Sequence, residues 1–277
     1  MDGVTKKYTR RGEKRTVTVP LLSGEYLADR CILITGGATG IGYSIAEACL
    51  RNGADVIIAG RTLTKLENAK ERLLLSGKGK VGILTLDICN PETFNLKIKE
   101  AITLLDRKPD ALVNCAGTEA GKAFGDTEIS KFDTVLETNL RGTYFFCQAF
   151  ANYMIEESIE GNILMISSAS GVRPAISPYM LSKWGILGLT EGLAKKLIPY
   201  DIVVNGIGPG PTPTPMIKMD PNGDYTKPNS PAGRFIIPEE VSNIAVFLLS
   251  NMGRMIVGDT IFVTGGVGTL TKDDMKY

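Results

Sequence analysis

A tyrosine and a lysine, Tyr179 and Lys183, stand four residues apart in the segment SPYMLSKWG, residues 177–185. Residues i and i+4 share one face of a helix, so the ammonium group would lie close to the phenol. Ser177 is a favoured N-cap residue and Pro178 suits the first helical position, so a helix is expected to begin beside the tyrosine. A nearby positive charge favours phenolate, so we expect Lys183 to lower the pKa of Tyr179 from its usual value of about 10. The tyrosine would then exchange protons near neutral pH. An ordinary exposed helix pair has the same spacing, and the rest of the chain must decide between the two interpretations.

The composition excludes the commoner carriers of protons. The 277 residues contain no histidine, which excludes a Ser-His-Asp triad, a His-Glu-x-x-His zinc motif and any histidine general base. Without a histidine to activate it, Cys115 is a poor candidate for a catalytic thiol. No metal site is predicted, and in any enzymatic reaction another side chain must carry the proton.

The charge balance gives no sign of a polyanionic partner. The formal net charge is +1, from 31 basic and 30 acidic residues, so no overall attraction to nucleic acid or to an anionic membrane is expected. No apolar run approaches the roughly 18 residues of a membrane-spanning helix, and no signal-peptide segment is found. The five cysteines are scattered without a C-x-x-C pair, which indicates reduced thiols and a cytoplasmic location.

Short apolar runs alternate with amphipathic segments from Cys31 onward. The runs are CILITGG, ADVIIAG, VGILTLDI, ALVNCAG, GNILMISS, DIVVNGIGPG and TIFVTGG. Between them, helices are predicted in the segments 41–52, 63–76, 92–106, 130–156, 179–197 and 239–250. Continuous apolar strands separated by helices predict a parallel sheet that is covered on both faces. The fold class is therefore α/β, a single doubly wound Rossmann-type domain with seven strands and with its ligand beyond their carboxyl ends.

The first 25 residues differ from the rest of the chain. The stretch TKKYTRRGEKR has six basic residues against one acid and no helical period. We expect residues 1–25 to form a basic, loosely attached arm, in which TVTVPLL could add a short edge strand to the sheet. Residues 26–277 would form the nucleotide-binding domain, including a substrate loop at 216–234 whose Pro, Asn, Gly and Asp content predicts irregular backbone.

A glycine-rich turn, ITGGATGIG, follows the first apolar strand and opens a helix. Gly36, Gly40 and Gly42 permit a tight turn and a close approach of backbone to a pyrophosphate. The N-terminus of the helix supplies free N–H groups and the positive end of its dipole. Because the turn lies between a strand and a helix, it predicts dinucleotide binding.

The end of the next strand bears on the choice of nucleotide. An acidic residue there would hold the adenosine ribose hydroxyls, but the sequence IIAGRTLTKL has Arg61 in that region. A guanidinium binds a 2′-phosphate, which a carboxylate would repel, so NADP(H) is favoured over NAD(H). Asp87 could accept a hydrogen bond from the adenine amino group, or it could cap the turn at Asn90-Pro91.

Together these motifs resemble the short-chain dehydrogenase/reductase family across roughly residues 28–268. The resembling segments, in order, are TGGATGIG, NCAG, ETNLRGTYFF, ISSASG, YMLSK, GPGPTPTPM, GRFIIPEEVSNIAVFLLS and GDTIFVTGG. The order of several motifs is more specific than any one of them. The segment between the serine and the tyrosine is shorter than in many members.

The resemblance implies a set of catalytic roles. Tyr179 would donate a proton to a ketone oxygen while hydride arrives from nicotinamide. Ser168 would hydrogen-bond the same oxygen, with Ser167 as the alternative. Lys183 would also hold the nicotinamide ribose hydroxyls, and Asn139 would fix a water that connects Lys183 to solvent.

The resemblance also implies the residues that contact the nucleotide. Backbone groups near the end of the fourth strand would line the adenosine side, and Thr214, with Thr212 as its neighbour, would contact the carboxamide. The full set is Gly36, Thr39, Gly40, Ile41, Gly42, Arg61, Asp87, Ile88, Asn114, Ala116, Gly117, Tyr179, Lys183, Pro209, Gly210, Thr212 and Thr214.

A glycine stripe on the helix of Tyr179 bears on assembly. Gly185, Gly188 and Gly192 each destabilise a helix by about 1 kcal/mol relative to alanine. A stripe of glycines in spite of this cost is typical of a helix face on which another backbone packs closely. That backbone could be the chain's own sheet or a second subunit. Members of the family commonly pair this region, so a homodimer or homotetramer is expected.

The predicted function is transfer of hydride between NADP(H) and a ketone or secondary alcohol. A small molecule or a 3-oxoacyl thioester could supply the carbonyl, and a sugar, polyol or steroid dehydrogenase of the same family is an alternative. An enoyl reductase is disfavoured because its family pattern spaces tyrosine and lysine more widely. A non-catalytic NADP(H)-binding regulator is the alternative outside enzymology.

Overall fold

The predicted doubly wound sheet is confirmed in the computed structural model, which describes residues 3–120, 123–214 and 223–270. Seven parallel strands lie in the order β5-β4-β3-β6-β7-β8-β9. The seven strands are β3 (Cys31–Thr35), β4 (Asp55–Gly60), β5 (Val81–Thr85), β6 (Ala111–Asn114), β7 (Gly161–Ile166), β8 (Ile202–Pro209) and β9 (Thr260–Val263). The strand order reverses between β3 and β6, and a ligand crevice opens at such a point.

Helices cover both faces of this sheet because the side chains of each strand alternate between two cores. The helices are α1 (Gly40–Arg51), α2 (Leu63–Leu73), α3 (Phe94–Leu105), α4 (Ile129–Leu136), α5 (Thr143–Glu156), α6 (Pro178–Leu197) and α7 (Pro238–Leu249). In β3, Ile32 and Ile34 pack with α1, α2 and α7, whereas Leu33 packs with α3, α5 and α6. Every residue of β3 is buried, as its uninterrupted apolar sequence predicted.

The predicted helix at 130–156 is interrupted by one wider turn. Between α4 and α5, residues Glu137–Gly142 form a π-helical turn, in which each turn takes up more residues than in an α-helix. Such turns often mark functional positions, and this one contains the buried Asn139.

The basic N-terminal segment is a β-hairpin, which corrects two expectations. Strands β1 (Gly3–Arg10) and β2 (Glu13–Pro20) pair with each other in a separate two-stranded sheet. The expectation that TVTVPLL adds an edge strand to the main sheet is therefore wrong. The expected loose attachment is wrong as well, because Val19 is buried in a small cluster with Tyr225 and Ile237. None of the helices in the described part of the chain has the length and apolar character needed to cross a membrane.

Candidate active site

The glycine-rich turn between β3 and α1 forms one wall of a cleft at the carboxyl edge of the sheet. Gly36 has a φ of +67°, and a Cβ there would lie 3.0 Å from the backbone of Ala116. Any other side chain would therefore force the turn away from β6. The side chain of Thr39, the N-cap of α1, makes no capping bond. The first N–H groups of α1 consequently lack a side-chain cap, a feature that suits an anion.

The hydroxyl of Thr35 ties this turn to the next strand. It accepts hydrogen bonds from the backbone N–H groups of Cys115 and Ala116, both at 3.1 Å. Gly36 in turn donates its N–H to the carbonyl of Ala59, at 2.8 Å. The ends of three neighbouring strands are thus fixed around the cleft. Thr35 was not among the predicted site residues, and its place directly before the glycine turn is the signal that could have found it.

Helix α6 starts as its sequence predicted. The Ser177 hydroxyl accepts the N–H of Met180 at 3.3 Å, and Pro178 occupies the first turn. This start places Tyr179 and Lys183 on the wall of the cleft, together with Ser168. The interpretation of Tyr179 and Lys183 as an ordinary exposed pair does not fit, because the lysine side chain is only 8% exposed.

The two candidate serines differ in what holds their hydroxyl groups. Ser167 donates its hydroxyl to the carbonyl of Lys183, at 3.1 Å. Ser168 accepts the N–H of Ser170, at 3.1 Å, and its hydroxyl also interacts with the phenol of Tyr179. The geometry therefore favours Ser168 over Ser167 as the partner of the tyrosine.

Lys183 is a buried amine without a carboxylate partner in the described part of the chain. Its Nζ donates to the carbonyl of Ile166, at 2.9 Å, and lies 5.7 Å from the ring centroid of Tyr179. Burial lowers the pKa of Lys183 to about 8, because a low-dielectric environment disfavours the ammonium form.

The expectation that Lys183 lowers the pKa of Tyr179 is wrong for this structure. Burial raises the pKa of Tyr179 above its ordinary value, and the hydrogen bond with Ser168 opposes this rise. Lys183 donates its hydrogen bond to the carbonyl of Ile166 and not to the phenol. The effect of burial on the pKa of Tyr179 is larger than that of the hydrogen bond with Ser168. The phenol consequently stays protonated at neutral pH, which is the form that donates a proton.

Asn139 lies behind the cleft and not on its wall. Its amide oxygen accepts the N–H of Thr118 at 2.7 Å, and its amide nitrogen donates to the carbonyl of Thr118 and to Ser182. Ser182 in turn donates to the carbonyl of Tyr179, at 2.7 Å. Asn139 thus connects the loop after β6 to the helix of the tyrosine. Its expected role in holding a water stays a prediction.

Most of the predicted residues line this one cleft of about 340 Å³. Those that do are Gly36, Thr39, Gly40, Ile41, Gly42, Ala116, Gly117, Ser168, Tyr179, Lys183, Pro209, Gly210, Thr212 and Thr214. They come from five separate segments of the chain, and these meet because parallel strands end at the same edge.

Four other predicted residues lie near the same edge but outside the cleft wall. Arg61 is exposed, directly after β4. Asp87 accepts the N–H of Cys89 at 3.0 Å, in accordance with the turn-capping alternative. Ile88 is buried in the core. The buried amide of Asn114 donates to the sulfur atoms of Cys147 and Met165.

The cleft also has polar residues that the motifs did not indicate. Arg173 and Glu119 line it, and Arg173 is only 6% exposed. Neither residue belongs to a recognisable spacing pattern, so the sequence carried no signal for them.

Cys115 lines the cleft as well, but burial raises the pKa of its thiol to about 11, so it is not a thiolate nucleophile at neutral pH. Part of the predicted substrate loop, 216–222, lies outside the described residues.

Three comparisons with known proteins agree with this architecture. Residues 36–268 match a family model described as enoyl-(acyl carrier protein) reductase. The 3-oxoacyl-[acyl-carrier-protein] reductase FabG of Aquifex aeolicus (strain VF5) is 33% identical over 245 residues, which cover 87% of this chain and 98% of the relative. The 2,5-dichloro-2,5-cyclohexadiene-1,4-diol dehydrogenase of Sphingobium indicum (strain UT26S) is 28% identical over 247 residues, 87% of this chain and 97% of the relative. A crystal structure of an actinorhodin polyketide ketoreductase variant with NADPH superposes with a TM-score of 0.79 at 25% identity, covering 87% of this chain and 97% of that one.

Proposed function

The chain belongs to the short-chain dehydrogenase/reductase family, as a 3-oxoacyl-[acyl-carrier-protein] reductase-like oxidoreductase that acts on ketones or alcohols, and on this premise we propose that it is NADP(H)-dependent and uses Tyr179 as its general acid and base. The observation that carries the proposal is the arrangement of Ser168, Tyr179 and Lys183 in the wall of the cleft that the glycine turn also lines. A structural helix pair would not require a buried amine beside a partly buried tyrosine.

The residues present fit a dinucleotide. The turn at Gly36 leaves no room for a side chain, and the N-terminus of α1 offers backbone N–H groups without a side-chain cap. These are the features that hold a pyrophosphate. Arg61 would bind the 2′-phosphate of NADP(H), and Lys183 would donate to the nicotinamide ribose. When bound, the nicotinamide would supply the hydride.

The chain's own residues would handle the proton and the developing charge. Ser168 donates a hydrogen bond to the carbonyl oxygen and stabilises its negative charge as the carbonyl is reduced. Tyr179, kept neutral by burial, delivers the proton to that oxygen. Lys183, whose pKa of about 8 lies close to neutral pH, supplies positive charge near the phenolate that this transfer leaves. The raised pKa keeps the tyrosine in the protonated form that reduction of a carbonyl requires.

The substrate class rests on the relatives. The Aquifex aeolicus relative is a 3-oxoacyl-[acyl-carrier-protein] reductase, and the Sphingobium indicum relative acts on a cyclic diol. We favour a 3-oxoacyl thioester and keep a small cyclic alcohol or ketone as the alternative. A non-catalytic regulator has no need of the Ser168, Tyr179 and Lys183 arrangement.

The proposal is tested by the loss of NADPH absorbance with a panel of ketones, cyclic diols, a 3-oxoacyl thioester and an enoyl thioester. NADH is assayed in parallel. Tyr179→Phe should lower turnover by about 100-fold to 10,000-fold, because it removes the proton donor, and it should leave NADPH binding intact. Tyr200→Phe, at an exposed tyrosine, is the matched control. Tight NADPH binding without turnover in either direction would favour the regulator, and reduction of the enoyl thioester alone would replace the carbonyl proposal.

The cofactor preference has a separate test. Arg61→Ala should weaken NADPH binding by about tenfold or more, since a charge-assisted hydrogen bond is lost, and should barely change NADH binding. Lys65→Ala, which removes an exposed cation from the nearby α2, controls for general electrostatics. Equal losses in the two variants, or a wild-type preference for NADH, would contradict the assignment of Arg61. Fluorescence titration of both nucleotides provides the measurement.

We also propose a homo-oligomer in the cytoplasm. Among the described residues, a Cβ on Gly188 or Gly192 would meet nothing within 4 Å, so no described backbone packs there, and we infer that a second subunit does. The adjacent groove includes Leu140, Phe145 and Leu189, and apolar side chains on this scale suit an interface. The molar mass in solution, by light scattering, tests this: a monomer at micromolar concentration would contradict it.

The five cysteines are free, in accordance with a reducing compartment.

A further inference from the structure

The N-terminal hairpin is joined to a turn that lies behind the cleft. At the outer edge of β1, the carbonyl of Lys7 accepts the N–H of Tyr225, at 3.0 Å. Next to it, Thr9 donates its N–H to the hydroxyl of Thr226, at 2.6 Å. The segment 225–227 then pairs back on 233–235 through a bridge between Thr226 and Arg234. The hairpin and this turn are two separate β-pairings, which these hydrogen bonds join into one platform.

Arg10 makes a further side-chain contact between the two parts. Its guanidinium donates to the carbonyl of Pro231, at 3.0 Å. The stem of the same side chain lies across Gly233, where a Cβ would be 3.0 Å from Cγ of Arg10. Gly233 has a φ of +75°, a backbone conformation that favours glycine. The side chain of Arg10 packs on the side of Gly233 where another residue would have its Cβ. No sequence pattern connects these residues, which are more than two hundred positions apart.

The far side of the turn supports the wall of the cleft. Ala232 donates its N–H to the carbonyl of Gly265, at 3.0 Å, and Ile236 donates to the carbonyl of Pro211, at 2.9 Å. Pro211 lines the cleft, and so does Val267, which follows Gly265 by two residues. The platform therefore reaches the cleft through two backbone hydrogen bonds. The glycine-rich turn, by contrast, has no contact with the hairpin among the described hydrogen bonds.

We propose that Arg10 is a positioning residue: by holding the turn at 225–236, it fixes the Pro211 and Val267 side of the cleft and so sets how well the carbonyl substrate is bound. This inference rests on the proposed function for the identity of the substrate. The position of the wall does not depend on that identity. The hairpin is thus a built-in support for the Pro211 and Val267 side of the cleft, where the nicotinamide and the carbonyl substrate would meet. The glycine turn and Arg61, which would hold the phosphates of the nucleotide, have no contact with the hairpin among the described hydrogen bonds.

The experiment compares Arg10→Ala with Arg11→Ala in the full chain. Both variants remove one cation from the same hairpin, but Arg11 is exposed at the tip, and no contact from it to the turn is described. Hydrogen exchange of the amides at 225–236 and 264–268 is measured without substrate. Arg10→Ala should speed exchange there by about threefold to tenfold, the range for one lost hydrogen bond, and Arg11→Ala should not. Thr226→Val, which removes the acceptor for Thr9, should act in the same direction as Arg10→Ala.

The kinetic readout separates positioning from general loosening. In Arg10→Ala, kcat/KM for the carbonyl substrate should fall by about threefold to tenfold. The Kd for NADPH should change by less than kcat/KM, by about twofold, because the glycine turn and Arg61, which the hairpin does not contact, would hold the phosphates. Arg10→Lys, which keeps a donor, should recover part of the loss. Equal exchange in Arg10→Ala and Arg11→Ala would overturn the proposal, whether or not any ketone is reduced. A larger effect on NADPH binding than on kcat/KM would overturn it as well, while absence of all turnover would count against the proposed function alone.

Discussion

The two ends of the parallel sheet both bury charged side chains, and they treat them in opposite ways. At the amino ends of the strands, Arg30 pairs with Asp110 at 2.9 Å and also donates to Leu249 and Asn162. Nearby, Arg107 pairs with Asp55 at 2.9 Å. At the carboxyl ends, Lys183 is more deeply buried, yet its described partner is a neutral carbonyl. The charges at the amino ends are paired with opposite charges. The ammonium group at the carboxyl ends has no opposite charge as a partner among the described residues.

The pKa values reflect this difference. Burial raises the pKa of Asp110, but Arg30 opposes the rise through both its charge and a hydrogen bond. Burial lowers the pKa of Lys183 to about 8, and the buried thiol of Cys115 is the other contribution, in the opposite direction. Removing one partner of a buried ion pair is destabilising, because the other charge is left uncompensated. An unpartnered one costs stability, and such a group is a candidate for chemistry.

The largest expected effect separates catalysis from stability at Lys183. Lys183→Met should lower turnover by at least about 100-fold, because the charge beside Tyr179 is lost. The midpoint of urea unfolding should stay the same or rise, since a buried unpaired charge is removed. Lys195→Met, at an exposed position on the same helix, controls for the substitution. A large loss of stability with full turnover would show that Lys183, like Arg30, stabilises the fold and takes no part in catalysis. The two ends of the sheet would then not differ in this respect.

The opposite result is expected at the other end of the sheet. Arg30→Ala should lower the free energy of unfolding by about 2 to 4 kcal/mol, because Asp110 and Asn162 lose a partly buried partner. Turnover per folded molecule should be unchanged. Lys108→Ala serves as the control: its pair with Glu157 is about half exposed, so the loss should be under about 1 kcal/mol. Denaturant titration measures both variants, and a catalytic defect in Arg30→Ala at full folding would contradict this assignment.

The smallest effect is in the pH dependence of stability. The pKa of Lys183 in the folded chain, about 8, lies below its ordinary value of 10.5, so folding disfavours its charged form. The resulting penalty is full below pH 8 and disappears as the pH rises toward the ordinary pKa. Relative to Lys183→Met, the wild-type chain should gain about 1.5 kcal/mol of unfolding free energy between pH 8 and pH 9.5. Parallel stability curves for the two proteins would show that Lys183 keeps its ordinary pKa.

Local patterns made the carboxyl end of the sheet predictable. The glycine turn, the capped start of α6 and the spacing of Tyr179 and Lys183 are all contained within short segments, so their geometry follows from local rules. The apolar runs likewise predicted all seven strands, since both faces of the sheet are covered. The direction of the pKa change at Tyr179 was beyond such rules, because burial is a property of the whole fold.

Long-range contacts account for what the sequence did not indicate. Arg30 and Asp110 are 80 residues apart in the chain, and nothing in either neighbourhood predicts their pairing. The turn of Glu137–Gly142 changes the helical period within a continuous amphipathic segment, so the pattern predicted one uninterrupted helix. Arg173 reaches the cleft from a loop whose course is set by tertiary packing, and no residue-type pattern indicates it.

The docking of the hairpin also has a consequence for the order in which this chain is made and folded. Thr9 bonds to a residue 217 positions later, so the hairpin is synthesised long before the turn on which it docks. During that interval the apolar side chains of β2, Val17 and Val19, lack the cover that Tyr225 and Ile237 give in the folded chain. The lysines and arginines around them, together with Pro20, disfavour pairing with a neighbouring nascent chain. The basic composition of this segment thus protects it during synthesis, before it supports anything in the finished molecule.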